Sequence, residues 1–277
     1  MLRLVILDLD GVVYRGDRPV DGAAKLITRL HGAGLLVRYA TNNSMSTRAA
    51  FAQRLRAMAI AADADEIVTS TSATIEYLRR HEPEVRTILA VGAEGMVDEL
   101  RAAGFEVIPA SEAGIHGDSG EPDPTVDAVL VGLDPLFDDA RLAVAVERVR
   151  GGARFIATNA DARFPTPTGF LPGAGTTVAA IRDATEVEPL VIGKPEPAMF
   201  RAILEATAID ANEALVIGDN PDSDIRAARR AGIESLLVLT GVTDPHAVPT
   251  LSGERAPDNV AADPAAAWEL LEARISS

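Results

Sequence analysis

Short apolar runs that stop at a polar or glycine residue recur along the chain, with helical spacings between them. Leu2 to Leu7 is a near-continuous run of branched side chains closed by Asp8, the pattern of a parallel strand covered on both faces. Ala23, Leu26, Ile27 and Leu30 follow at helical spacing, and His31-Gly32-Ala33-Gly34 places an imidazole in the last turn and glycine as a stop. Leu35 to Ala40 predicts a second strand, Thr41-Asn42-Asn43-Ser44 a polar loop, and Thr47 to Met58 a helix. That alternation belongs to an α/β sheet. The same grammar returns after residue 185: Leu190 to Ile192 ends in Gly193-Lys194, Ala214 to Ile217 in Gly218-Asp219, and Ser235 to Leu239 in Thr240-Gly241.

A middle segment carries its own strand patterns at Thr87 to Val91, Ala128 to Val131 and Arg154 to Ala157. They predict a second α/β unit, interrupting a core of residues 1–81 and 185–277 with a domain of 82–184. Two domains also suit 277 residues. Gly114 to Pro124, rich in Gly, Pro and acids, reads as a solvated loop. Trp268 sits with Leu270 and Leu271 on a predicted terminal helix, where it is expected to anchor the core.

Composition narrows the function classes. With 41 acidic and 26 basic residues the net charge is −15, which repels a phosphate backbone and an anionic membrane. No apolar run reaches the ~18 residues of a membrane-spanning helix, and the first is too short for a signal-peptide core. A cytoplasmic protein is expected. The absence of cysteine removes disulfides, thiolate catalysis and sulfur-ligated zinc, so a metal here must be held by oxygen or histidine.

Ligands of an open parallel sheet bind beyond the carboxyl ends of its strands, so polar residues ending several strands can converge. Four such ends are present: Asp8-Leu9-Asp10-Gly11, Thr41-Asn42, Gly193-Lys194-Pro195-Glu196-Pro197, and Gly218-Asp219-Asn220-Pro221-Asp222-Ser223-Asp224. Singly, each aspartate reads as a helix cap or turn residue and Lys194 as a solvated surface charge. Their combination, in one order and each after an apolar run, does not.

Asp8-x-Asp10-Gly11, Thr41-Asn42, Lys194-Pro195 and Gly218-Asp219 with Asp224 resemble the haloacid dehalogenase superfamily of phosphatases. Thr158-Asn159-x-Asp161, Pro165, Pro172-Gly173-Ala174-Gly175 and the late insertion resemble its NagD-type branch, which carries a C2-type cap. The departure is Pro221-Asp222-Ser223 before Asp224, where relatives often have less rigid residues and a threonine. The resemblance implies a Rossmann-like, doubly wound parallel-sheet core with a smaller inserted α/β cap domain. It implies a phosphatase of small phosphorylated metabolites.

On that resemblance Asp8 is the nucleophile that becomes an aspartyl phosphate, with its other oxygen on magnesium. Asp10 is the proton carrier and offers the metal its backbone carbonyl. Thr41 and Asn42 bind the phosphoryl oxygens through a hydroxyl and a backbone N–H, and Lys194 adds a fixed positive charge. Asp219 is a direct metal ligand. Asp224 is a ligand through water or a partner that orients Lys194. Carboxylates gathered around a phosphate dianion demand counter-charge, and an oxygen-only donor set favours Mg2+. Asp222 reads as a cap or surface residue, and the glycines at 173 and 175 serve equally a turn or the approach of a ligand. Asn43, Arg163, Phe164 and Thr166 are candidates for substrate contact, from the polar loop and from the cap. Pairing into a homodimer is left open. So are three other activities: a stable phospho-acceptor module, which the insertion disfavours, a dehalogenase, and a phosphomutase.

Overall fold

The computed structural model describes residues 1–114, 125–166 and 169–275; most of the Gly114 to Pro124 segment lies outside them. The chain divides into two compact units, one of Met1–Thr41, Arg48–Val68 and Lys194–Ser277, the other of Asn42–Thr47 and Thr69–Gly193. The divisions fall at residues 68/69 and 193/194, not near 81 and 184. The helix Ser70–His81 therefore belongs with the second unit.

In the first unit a six-stranded sheet has Leu4–Asp8 near its middle. On one side lie Leu36–Thr41 and then Ile67–Thr69. On the other lie Ala214–Gly218, Glu234–Val238 and Asn259–Ala261. Leu4–Asp8 runs parallel to both neighbours and every residue of it is buried, which is why its sequence is unbroken by polar residues. Because the chain builds outward from this strand in both directions, the crevice of the doubly wound sheet opens at its carboxyl end. Leu7 is level with Tyr39 on one side and with Ile217 on the other. Asp8, Thr41 and Asp219 consequently leave the sheet at one edge.

The helix Ala23–Gly32 buries Ala23, Leu26, Ile27 and Leu30, the face its spacing predicts. Gly34 follows at φ 75°, a left-handed position suited to glycine after a helix end. Trp268, 8% exposed, packs into the same core as Leu7, Leu30 and Ile217, as expected of an anchor.

The second unit has a five-stranded sheet in the order Leu190–Val191, Arg154–Ala157, Ala128–Val131, Thr87–Val91, Glu106–Pro109. All neighbouring pairs are parallel. Its core gathers Leu89, Val129, Phe155, Val178 and Ile181. Leu190–Val191 corrects the sequence reading: it pairs with Arg154–Ala157 and completes this sheet, not that of the first unit. A two-residue strand has no periodicity by which to choose its partner. An antiparallel hairpin joins Arg163–Thr166 to Gly169–Pro172. No helix among the described residues is long and apolar enough to cross a membrane.

Candidate functional site

In the first unit Asp8, Asp219 and Asp224 each present a carboxylate oxygen, and these oxygens lie within 4.8 Å of one another. All three residues are buried. Lys194, only 3% exposed, donates from Nζ to Asp8 Oδ1 at 2.5 Å, to Asp224 Oδ1 at 2.7 Å and to the Ala40 carbonyl at 3.1 Å. A solvated surface lysine is thereby excluded. Lys194 follows Gly193 in the loop after Leu190–Val191 and, like Asp8, Asp219 and Asp224, belongs to the first unit.

The backbone fixes the carboxylates of Asp219 and Asp224. Val242 N donates to Asp219 Oδ2 at 2.6 Å, and Asn220 N donates to Asp224 Oδ2 at 3.1 Å. Asp224 stands on a wide helical turn, Pro221–Ile225, which leads into the helix Arg226–Ala231. Gly11 and Gly241 wrap Asp219 so closely that a Cβ at either would overlap its carboxylate; a Cβ at Gly218 would overlap Asp224. The glycine after the DxD motif, at φ 86°, thus serves the turn and the clearance together.

The electrostatics follow from burial. Asp8 is raised well above the usual carboxylate range by desolvation and by the charges of Asp224 and Asp219, with Lys194 opposing. Asp219 is pushed up to about 7 by burial first and the Asp224 charge second. Burial alone would lower Lys194, but the charges of Asp224 and Asp8 outweigh it and hold the ammonium firmly protonated. Three carboxylates against one ammonium leave two negative charges in a buried space. That donor set, oxygen only and doubly negative, fits a hard divalent cation, whose arrival would displace the protons that burial favours.

Asp10 sits half-buried just beyond this trio, and its carboxylate is not part of it. Burial raises its pKa, while the charges of Arg54 and Lys194 pull it back. Thr41 is buried at the end of its strand, one residue past Ala40, which pairs with Asp8. Asp222 turns away: its carboxylate pairs with Arg255 at 2.9 Å, and the capping acceptor for its N–H is Asn220 Oδ1.

The remaining candidates belong to the second unit. The Asn42 carbonyl accepts from Ser70 Oγ and from Asn159 Nδ2, both at 2.8 Å, and Asn42 Nδ2 donates to Asp161 Oδ2 at 2.9 Å. The Thr158-Asn159-x-Asp161 segment therefore grips the residue that follows Thr41. Asn43 Oδ1 accepts from Met45 N at 2.9 Å, closing a local turn. Gly173 and Gly175 pack against the carbonyls of Asp161 and Ala160, so close backbone contact, not a ligand, accounts for both. Arg163 is exposed and lies 5.8 Å from the Phe170 ring, and Phe164 is half-buried. The side chain of Thr166 falls outside the described residues.

Sequence reasoning passed over Tyr14, Arg54, Thr240, Val242 and Thr243. Thr240 Oγ1 donates to the Gly11 carbonyl at 2.6 Å, and Thr243 Oγ1 to the Asp219 carbonyl at 2.5 Å. The signal available was the Thr240-Gly241 strand end, noted as a stop but not added to the converging set. A separate cavity of about 530 Å³ in the second unit is lined by Val97, Arg101, Asp134 and Arg141 among others. Arg141 there is already paired with Asp134 at 3.5 Å and Asp138 at 3.3 Å.

Residues 5–106 match the model of the haloacid dehalogenase-like hydrolases, and residues 191–267 the HAD-hydrolase-like model. The acid sugar phosphatase of Staphylococcus saprophyticus is 37% identical over 238 residues, 86% of each chain. The p-nitrophenyl phosphatase from Archaeoglobus fulgidus superposes with a TM-score of 0.86 at 29% identity, covering 97% of this chain and 99% of that one. The glycerol phosphate phosphatase of Mycobacterium tuberculosis, solved in complex with magnesium, gives 0.83 at 31% identity, covering 96% of this chain and 76% of that one. By its matched motifs and by identity sustained along most of its length, the chain belongs to the haloacid dehalogenase-like hydrolases, and within them to the NagD-type phosphatases, a branch of phosphoric monoester hydrolases.

Proposed function

We propose that this chain is a magnesium-dependent phosphatase of small phosphorylated metabolites that works through an aspartyl phosphate on Asp8. The observation that carries the reading is the buried Asp8 carboxylate at the switch point of the sheet, paired with Lys194 at 2.5 Å and grouped with Asp219 and Asp224. A nucleophile held by one ammonium beside a doubly negative pocket suits attack on a phosphate only when a cation lowers the repulsion. Asp8, Asp219 and Asp224 would hold that ion, with the backbone carbonyl of Asp10. When bound, it would neutralise charge on the transferring phosphoryl group.

In the first step an Asp8 oxygen attacks phosphorus and the bond to the ester oxygen breaks, while Asp10 gives its proton to the departing alkoxide. In the second, water attacks phosphorus, Asp10 takes the proton, and the bond from Asp8 to phosphorus breaks. The products are an alcohol and inorganic phosphate. Thr41 and Asn42 would donate to the phosphoryl oxygens, and Lys194 would hold Asp8 ionised and in place. The inserted domain 82–184, as a cap, would supply contacts to the leaving group from Arg163, Phe164 and Thr166, and the loop after Thr41 would add Asn43. The relatives' names point the substrate class toward sugar phosphates and glycerol phosphate. Phosphoglycolate, nucleotide monophosphates and pyridoxal phosphate complete the panel to be tried.

The test is phosphate release from that panel with and without magnesium, with the Asp8→Asn protein as blank. Release that requires both magnesium and Asp8 supports the reading. Equal release by Asp8→Asn, or undiminished turnover in excess chelator, overturns it.

A further inference from the structure

Asn42 and Gly193 are the residues of the second unit that adjoin Thr41 and Lys194 in the chain. The Asn42 carbonyl accepts two hydrogen bonds from side chains on different elements. One donor is Ser70 Oγ, on the first residue of the helix Ser70–His81, and the other is Asn159 Nδ2, just past the strand Arg154–Ala157; both lie at 2.8 Å. Ser70 and Asn159 are themselves buried. The Asn159 amide is used at both ends, because its Oδ1 accepts from Asp161 N at 3.2 Å. Asp161 Oδ2 in turn accepts from Asn42 Nδ2 at 2.9 Å, which closes a ring through Asn42, Asn159 and Asp161.

A buried carbonyl needs one partner. This one has two, and the side chain of the same residue is held by a third group. Asn42 Oδ1 also lies against Gly193, where a Cβ would stand 2.6 Å from it. The Gly193 N–H is fixed at the same place, donating to the Thr158 carbonyl at 2.8 Å. A residue held by its carbonyl and by its side chain has no freedom to turn, so the direction of its N–H is set in advance. A loop residue left mobile would have to be ordered each time a ligand binds, which weakens binding. Donors placed beforehand stabilise developing charge without that reorganisation.

We infer that Ser70, Asn159 and Asp161 are positioning residues that hold the Asn42 N–H toward the transferring phosphoryl group. The inference rests on the reading of Asn42 as a phosphoryl donor. It makes a specific demand on affinities. Loosening the clamp weakens the hold on phosphate oxygens, whereas the carboxylates of Asp8, Asp219 and Asp224 are held by other groups and keep their grip on a cation. It also demands a dependence between the two donors. With either one present the carbonyl keeps its direction; only the loss of both leaves it orphaned and free to rotate.

The experiment titrates inorganic phosphate, with magnesium saturating, into protein labelled with 15N-asparagine, and follows the Asn42 amide signal, assigned by its loss in Asn42→Asp. Wild type, Ser70→Ala, Asn159→Ala and the double variant are compared; none of these substitutions changes the net charge, and calorimetry gives the magnesium affinity of each. Phosphate is expected to shift the Asn42 amide in the wild type. Its dissociation constant is expected to rise about threefold in each single variant and about thirtyfold in the double, more than the product, with magnesium affinity at the wild-type value. Thermal unfolding identifies a variant that fails to fold; Ser70→Ala, which removes one oxygen and leaves the carbonyl its second donor, then decides by the same signal. Wild-type phosphate affinity in the folded variants overturns the inference alone, and so does a magnesium affinity that falls in step with that for phosphate. An Asn42 amide that phosphate does not move in the wild type removes the donor reading itself and this inference with it.

Discussion

Lys194 joins the site through one atom, with contacts at 2.5, 2.7 and 3.1 Å to Asp8, Asp224 and the Ala40 carbonyl. Removing one member of a buried charged set leaves the others uncompensated, typically at about 3 to 5 kcal/mol. Lys194→Met is therefore expected to lower the unfolding free energy by about 3 kcal/mol in metal-free buffer, read by denaturant titration. A loss below about 1 kcal/mol would mean that protonation of the carboxylates, not the ammonium, holds the cluster together. Gly241 acts by clearance. A methyl group there overlaps the Asp219 carboxylate, so Gly241→Ala is expected to weaken magnesium binding at least about tenfold, the lower end of what misplacing a supporting group costs. Calorimetric titration with magnesium would measure it. Wild-type affinity in that variant would show that Asp219 does not bind the ion.

Among elements, strand ends matter more than strand middles. The register Leu7 to Tyr39 and Leu7 to Ile217 aligns three ends so that their first polar residues share one edge. Strand starts are pinned as well. In the second unit the Asp127 carboxylate accepts from Arg86 N at 2.7 Å and Thr87 N at 2.8 Å, fixing the entry to Thr87–Val91. Those bonds hold its pKa below the usual value. A depressed folded pKa gives stability that is present above the unfolded value and lost as pH falls through the folded one. Asp127→Ala should thus be less stable than wild type at neutral pH, by about 1 kcal/mol for an exposed charge-assisted pair. The gap should narrow below about pH 4, where the unfolded carboxylate protonates. Urea titrations at pH 7 and pH 3 decide it; a gap that widens on acidification contradicts the assignment.

At the scale of the molecule, two cores form on two sheets, one around Leu7, Leu30 and Trp268 and one around Leu89, Phe155 and Ile181. The carboxylate trio belongs wholly to the first. An ion that binds only the folded form stabilises it by about 2.7 kcal/mol at a hundred times its dissociation constant. Magnesium is therefore expected to raise the melting transition of the unit containing Asp8, and Asp219→Asn to abolish the rise. Scanning calorimetry with and without chelator would reveal it. A shift of equal size in Asp219→Asn would place the ion elsewhere.

Legibility in the sequence followed length and punctuation. The strand Leu4–Asp8 and the helix Ala23–Gly32 were plain because each buries a whole run or a whole face. Leu190–Val191 was assigned to the wrong sheet, and the three-residue strands Ile67–Thr69 and Asn259–Ala261 were not seen at all. Few residues leave little pattern, and pairing partners are chosen by tertiary packing. Tyr14 and Arg54 were invisible for another reason: forty residues separate them, and nothing in either neighbourhood marks a ring beneath a guanidinium.

The order of chemical groups along the chain was thus set by sequence alone: aspartates, threonine, lysine and aspartates again, each after an apolar run, enough to imply the class of chemistry. Only the tertiary structure decided that Lys194 is buried rather than solvated, and that Asp224 joins Asp8 and Asp219 while Asp222 turns to Arg255. Sequence fixes which groups are available and which strands end in them. Distance, burial and the resulting electrostatics depend on how separate strands align, and that is settled by packing across the whole sheet.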